Sequence, residues 1–179
     1  FMLIPGSVFS QTNEDCMMCH LDEDLRMVSP AGDTLSAFID TLAYNQSVHN
    51  QLGMECISCH PDITEIPHED DLESANCAMC HDEIDTEYRD SLHGYALSRN
   101  NPRAPDCFNC HGKHDILPTG DERSFANRLN LPQTCGSCHS DYGLKMDPEL
   151  RIASTVEIYL GSVHGQNISG GISGAATCS

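Results

Sequence analysis

The chain has 179 residues, of which 39% are apolar, but that share includes 11 Cys, there is no Trp, and only 6% are aromatic. Such a chain is short of side chains for a core of its own, yet it lacks the composition of a disordered one, so something other than side chains is expected to fill its middle. Nine basic against 27 acidic residues give a net charge of -18, which excludes nucleic acid as a partner and disfavours an anionic membrane surface.

The first ten residues, Phe1 to Ser10, are uncharged and mostly apolar. They are too short to span a bilayer and read as the remnant of a signal peptide, with Gln11 as the mature start. A short hydrophobic first strand is the alternative. Next comes Cys16-Met-Met-Cys19-His20, the first of five units of one form. A segment from Thr34 to His49 has helical character and ends in Tyr44-x-x-Ser47-x-His49. The second unit, Cys56-Ile-Ser-Cys59-His60, is followed by Ile66-Pro67-His68 in an acidic stretch, and then by the third, Cys77-Ala-Met-Cys80-His81.

A second helical segment, Asp82 to His93, ends in Tyr88-x-x-Ser91-x-His93-Gly94. The fourth unit, Cys107-Phe-Asn-Cys110-His111, has His114 three residues further on, and Cys135-Gly-Ser-Cys138-His139 is the fifth. A third segment, Pro148 to His164, repeats the pattern as Tyr159-x-x-Ser162-x-His164-Gly165. Gly94 and Gly165 are expected to cap the ends of these helices. The two stretches around His93 and His164 align without a gap, and the alignment sets Cys178 against Cys107. Cys178 is therefore expected to open a sixth unit.

C-x-x-C-H is the covalent attachment pattern of c-type haem. Two thiols about one helical turn apart reach the two vinyl groups on one porphyrin edge, and the adjoining His lies beneath the iron. Structural zinc takes four ligands per metal, gives no reason for a His after every second Cys, and leaves one of five units over. A disulfide framework ignores the His as well. Five covalent haems are thus expected, held by Cys16, Cys19, Cys56, Cys59, Cys77, Cys80, Cys107, Cys110, Cys135 and Cys138, with His20, His60, His81, His111 and His139 as axial ligands.

Five His stand outside the units: His49, His68, His93, His114 and His164. One extra His per haem is the number that bis-His iron needs. His111 is tethered beneath its own haem, so His114 is expected to reach a different iron. The expected organisation is tandem two-haem modules at about 44–87 and 88–158 within a region 11–179, with 159–179 the start of a truncated further module and Cys16–His20 the end of an abbreviated earlier one.

With its Tyr-x-x-Ser-x-His-Gly segments, its Cys107-x-x-Cys110-His111-Gly112-x-His114-Asp115 stretch and its Ile66-Pro67-His68 between two units, the sequence resembles exported multihaem c-type cytochromes of the class III-related branch. The resemblance covers nearly all of residues 14–179. It implies periplasmic or cell-surface location and low-potential bis-His haems. It implies electron relay in anaerobic-type respiration between a quinol-linked membrane cytochrome and a downstream acceptor. It also makes His68 a ligand, which spacing alone does not.

The expected fold is haem-dominated and mostly irregular, with short α-helices and little or no β-sheet. About 34 residues per haem in a compact chain place haem centres about 19 Å apart, close enough for electrons to hop between macrocycle edges. An electron carrier with no catalytic residue is the reading preferred here. The alternatives are the electron inlet of a nitrite, hydroxylamine or tetrathionate reductase, which needs an open iron face, and a subunit of an extracellular haem wire.

Overall fold

Short polar side chains start most helices of this chain, because an oxygen two or three residues ahead of an unpaired amide can accept from it. The structure is a computed structural model that describes residues 11–29, 32, 34–70, 72–140 and 155–178. The expected signal-peptide remnant, 1–10, and residues 148–154 of the third helical segment lie outside the described residues. The chain divides into two compact units, Phe1–Asp85 and Thr86–Ser179.

In the first unit Thr12 caps α1 (Asn13–His20). The Thr12 hydroxyl accepts from the Asp15 amide, and the Thr12 amide donates back to the Asp15 carboxylate at 2.9 Å. That amide, and then the Thr12 hydroxyl, hold the Asp15 carboxyl below its ordinary pKa. A two-stranded antiparallel ribbon follows, β1 (Arg26–Val28) against β2 (Thr34–Ser36), with Met27 opposite Leu35. Asp40 caps α2 (Thr41–Gln46), and Ser47 caps α3 (Val48–Gln51). The one-turn α4 (Cys56–Cys59) and a 3-10 turn, Cys77–Met79, hold the next two Cys pairs. The helix α5 (Asp82–Arg89) crosses the division between the units.

In the second unit Ser91 caps α6 (Leu92–Ser98), and Asp106 caps α7 (Cys107–His111) in a reciprocal box with Asn109. The helix α8 (Leu131–His139) has the buried Pro132 in its first turn, where a missing amide loses nothing. Then come α9 (Thr155–Gly161) and α10 (Val163–Ser169), capped by Ser162. Helix α9 packs on both α8 and α10. Short helices, irregular connections and one small ribbon are the architecture that the sequence implied.

The three helical segments differ from expectation: the first, Thr34 to His49, opens as β2 and turns helical only after Asp40, and all three are interrupted. None runs unbroken into its His. Ser47, Ser91 and Ser162 accept from the amides of Asn50, Gly94 and Gly165 at 3.2, 3.1 and 3.1 Å, so each serine begins a second helix. His49, His93 and His164 therefore lie in the first turn of α3, α6 and α10, not at the end of the helix before.

Gly94 and Gly165 are buried within α6 and α10 and are not C-caps. A Cβ on either would collide with the carbonyl of Tyr88 or Tyr159 on the preceding helix. The helix-ending role falls to Gly53, Asn100 and Gly171, all with positive φ. After each of them an amide donates to a carbonyl five residues back: Met54 to His49, Asn101 to Ala96 and Ile172 to Asn167.

Among the described residues the buried hydrophobic side chains are few, Val156 and Ile168 besides Pro132. Leu92 and Val163, each next to a His of the repeat, are 85% and 72% exposed. Two small units with so little apolar burial lack the interior that normally offsets chain entropy.

Candidate haem-binding cysteines and histidines

Each of the five Cys pairs lies on one turn of helix, which sets its two thiols on neighbouring positions of one face. The motif His ends α1, α7 and α8, and directly follows α4 and the 3-10 turn and its C-cap Cys80 at the other two. All eleven Cys are free, and they are half-buried or exposed.

Neighbouring motifs meet through their thiols. Cys56 lies beside Cys16, and burial followed by that neighbour pushes its thiol up to about 11. Cys135 lies beside Cys178, with the same causes and the same value of about 11. Burial, then Cys77 and Cys80, raises Cys59; burial, then Cys138, raises Cys110. Redox and metal-binding cysteines need a lowered pKa, because the thiolate is the reacting form. These thiols are held the other way.

The histidines form facing pairs that join a motif His to a His outside the motifs. The ring centres of His20 and His68 are 6.0 Å apart with planes at 10°. Those of His49 and His81 are 6.1 Å apart at 63°, and those of His93 and His139 are 5.9 Å apart at 25°. Parallel rings in face-to-face contact would lie about 3.5–4 Å apart. A metal–imidazole bond is about 2 Å and a ring nitrogen lies about 1.1 Å from its ring centre, so two imidazoles on opposite sides of one metal have centres about 6.2 Å apart. Offset aromatic pairs reach similar separations. They give no reason why all three pairs join one motif His to one other His.

In the His20–His68 pair the ring nitrogens left over for a metal can be identified. Nδ1 of His20 lies 2.6 Å from the Ala37 carbonyl, and Nδ1 of His68 lies 2.8 Å from the Glu69 carbonyl. A carbonyl only accepts, so Nδ1 carries the proton and Nε2 is left as the lone-pair donor in both rings. Burial lowers the pKa of His49 and, to its second cause, the facing His81 lowers it further. Burial also lowers that of His60, with Asp62 opposing. Both are favoured as the neutral imidazole, the form that ligates.

The donors come as facing pairs, and among the described residues no three His, Cys, Asp or Glu converge as a zinc site requires. His60, His111, His114 and His164 lie outside the three pairs. The pairing order could not be read from spacing, because each pair closes over an intervening stretch of chain that contains another motif or a long loop. Sequence reading also passed over the Ala37 and Glu69 carbonyls, since a backbone acceptor carries no residue signature.

Paired thiols ahead of a His, facing imidazoles and exposed apolar side chains around them define a class, the c-type cytochromes with several haems. A family model described as cytochrome c3 matches residues 48–140, from the start of α3 to the residue after α8. The chain belongs to the cytochrome c3 family, and is accordingly a multihaem c-type cytochrome that carries covalently bound haem c and transfers electrons to and from redox partner proteins. Comparison with curated proteins and with solved structures gave no match. No helix among the described residues is long and apolar enough to cross a membrane.

Proposed function

We propose that the chain binds five haems c through its five Cys pairs and relays electrons along them, as an exported carrier between a quinol-linked membrane cytochrome and a downstream acceptor in anaerobic-type respiration. The three facing imidazole pairs are the observation that supports this most directly.

On this reading His20 and His68 would hold one iron, His49 and His81 a second, and His93 and His139 a third. His60 and His111 are the proximal ligands of the remaining two. His114 is a distal ligand, and of a haem other than its neighbour on His111. His164, placed by α10 as His49 and His93 are placed by α3 and α6, is a ligand of the same kind, and Cys178 begins a sixth attachment site. The modules near 44–87 and 88–158 are the repeating units of this arrangement.

Bound haem supplies one-electron chemistry. The protein's part is to hold it. The Cys pairs fix one macrocycle edge covalently. Two imidazoles close each iron to substrate and favour a lower potential than His/Met ligation. Leu92, Val163 and the other exposed apolar groups give the macrocycles their apolar cover. The net charge of -18 selects partners with basic docking faces.

Intact mass of the chain, matured with c-haem attachment machinery, is expected to exceed the polypeptide mass by five haems. Electron paramagnetic resonance is expected to show low-spin ferric iron. Two haems or fewer, or bound zinc, would refute the reading. Ready carbon monoxide binding to the reduced protein would mean an open iron and favour a reductase inlet.

A further inference from the structure

The repeated Tyr-x-x-Ser-x-His has two residues accounted for, the serine as helix cap and the histidine as ligand. The tyrosine remains. Tyr44 donates its hydroxyl to the Met54 carbonyl at 3.4 Å, Tyr88 to that of Pro105, and Tyr159 to that of Ala176 at 2.8 Å. Each acceptor lies two residues before a Cys: Cys56 and Cys107, which open motifs, and Cys178, which matches Cys107 in the repeat.

The contact is the same although the loops are not. Tyr44 precedes Cys56 by 12 positions, whereas Tyr88 precedes Cys107 and Tyr159 precedes Cys178 by 19. A loop that changes length while its end stays docked on one hydroxyl points to a requirement on where the end sits. In the first repeat a second tie exists. Asn13 Nδ2 donates to the Tyr44 hydroxyl at 3.2 Å, and the Cys56 amide donates to Asn13 Oδ1 at 2.8 Å. Packing alone would need only the ring, and phenylalanine would serve.

The same three tyrosines stand one turn before the serine that starts the His helix. We propose that they are positioning residues that set the distance between the attachment cysteines of one haem and the distal histidine of another. Tyr44 ties Cys56 to His49, which faces His81. Tyr88 ties Cys107 to His93, which faces His139. Two successive haems are thereby referred to one hydroxyl, and electron exchange between haems depends steeply on their separation. Burial raises the pKa of Tyr44 and Tyr88, with Cys56 and Asp106 the next causes, so the phenols keep the proton they donate.

The inference rests on the proposed haem ligation. Its test is Tyr88→Phe in the full haem-loaded chain, with Asn127→Ala as a structural control. Asn127 is buried, donates to the Thr119 carbonyl at 3.0 Å and accepts from the Leu129 amide at 3.0 Å, and no tyrosine of the repeat bonds to it. Tyr88→Phe is expected to keep every haem by intact mass and every iron low-spin. It is expected to shift the resonance g-values of the iron between His93 and His139, which depend on the angle between the imidazole planes, and the potential of the haem on Cys107 and Cys110. The signal of the iron between His20 and His68 should stay in place. Asn127→Ala should lower Tm and move neither readout.

If Tyr88→Phe fails to mature, Tyr44→Phe offers the same readout at the iron between His49 and His81, with a larger shift when Asn13→Ala is added. Loaded variants whose g-values and redox titrations superimpose on the parent would overturn the inference while leaving the proposed function intact. A chain that takes up no haem would overturn both.

Discussion

A histidine is the informative residue here because one ring makes two different bonds. Where Nδ1 is given to a carbonyl, as at His20 and His68, Nε2 is left as the nitrogen able to ligate and the ring plane is fixed with it. Removing the distal partner leaves the thioethers untouched, so His68→Ala is expected to keep all haems attached and to convert the iron above His20 alone to a high-spin or water-ligated state. His49→Ala should do the same to the iron above His81. Each loss of a strong neutral donor should raise the potential of its own haem. Spin state and redox titration of the two variants check the assignment, and an unchanged low-spin spectrum in either would break that pair. His114→Ala belongs to the same series and should open an iron other than the one on His111. The motif residues were legible in the sequence because covalent attachment demands a fixed spacing. The five further His were legible as a set, but which faces which motif His was not, since a distal ligand can come from any distance along the chain.

At the scale of elements, the helix–serine–helix corner is the repeated part. Ser91→Ala removes the acceptor for the Gly94 amide and is expected to destabilise the protein by about 1 kcal/mol. Gly94→Ala and Gly165→Ala force a methyl group onto the backbone of the preceding helix, and should each destabilise by about 1–3 kcal/mol. Gly120→Ala and Gly174→Ala, where a new Cβ meets nothing within 4 Å, are the matched controls. Thermal unfolding of the five variants tests the corner geometry. The sequence announced these segments through their repetition but misplaced the break. A serine inside a helical pattern is compatible with one helix or two, and only the close approach of the two backbones at Gly94 and Gly165 distinguishes them. The first repeat has Asn50 where the others have glycine, so the glycine alone was no guide.

For the whole molecule, the scarcity of buried side chains is the governing fact. Among the described residues Val156, Ile168 and Pro132 are the buried apolar side chains, too few to make an interior. The polypeptide made without haem attachment is expected to be digested rapidly by protease, and the loaded protein to resist. Equal resistance of both would show that the chain folds on side chains alone. The acidic surface makes a second demand. With 27 acidic against 9 basic residues, association with a basic redox partner should slow steeply as ionic strength rises. Stopped-flow electron transfer at increasing salt measures this, and a salt-independent rate would place docking on another kind of surface.

The sequence by itself determined the chemistry that must be contiguous. Five Cys-x-x-Cys-His units, their family, the shortage of core and the acidic charge all follow from order and composition, because thioether attachment is local and charge is additive. The tertiary structure decided what is brought together from afar. It set His68 opposite His20, His49 opposite His81 and His93 opposite His139, and it docked each repeat tyrosine on a carbonyl two residues ahead of Cys56, Cys107 or Cys178. Such pairings depend on how loops of unequal length fold back on capped helix starts, and no spacing rule along the chain contains that.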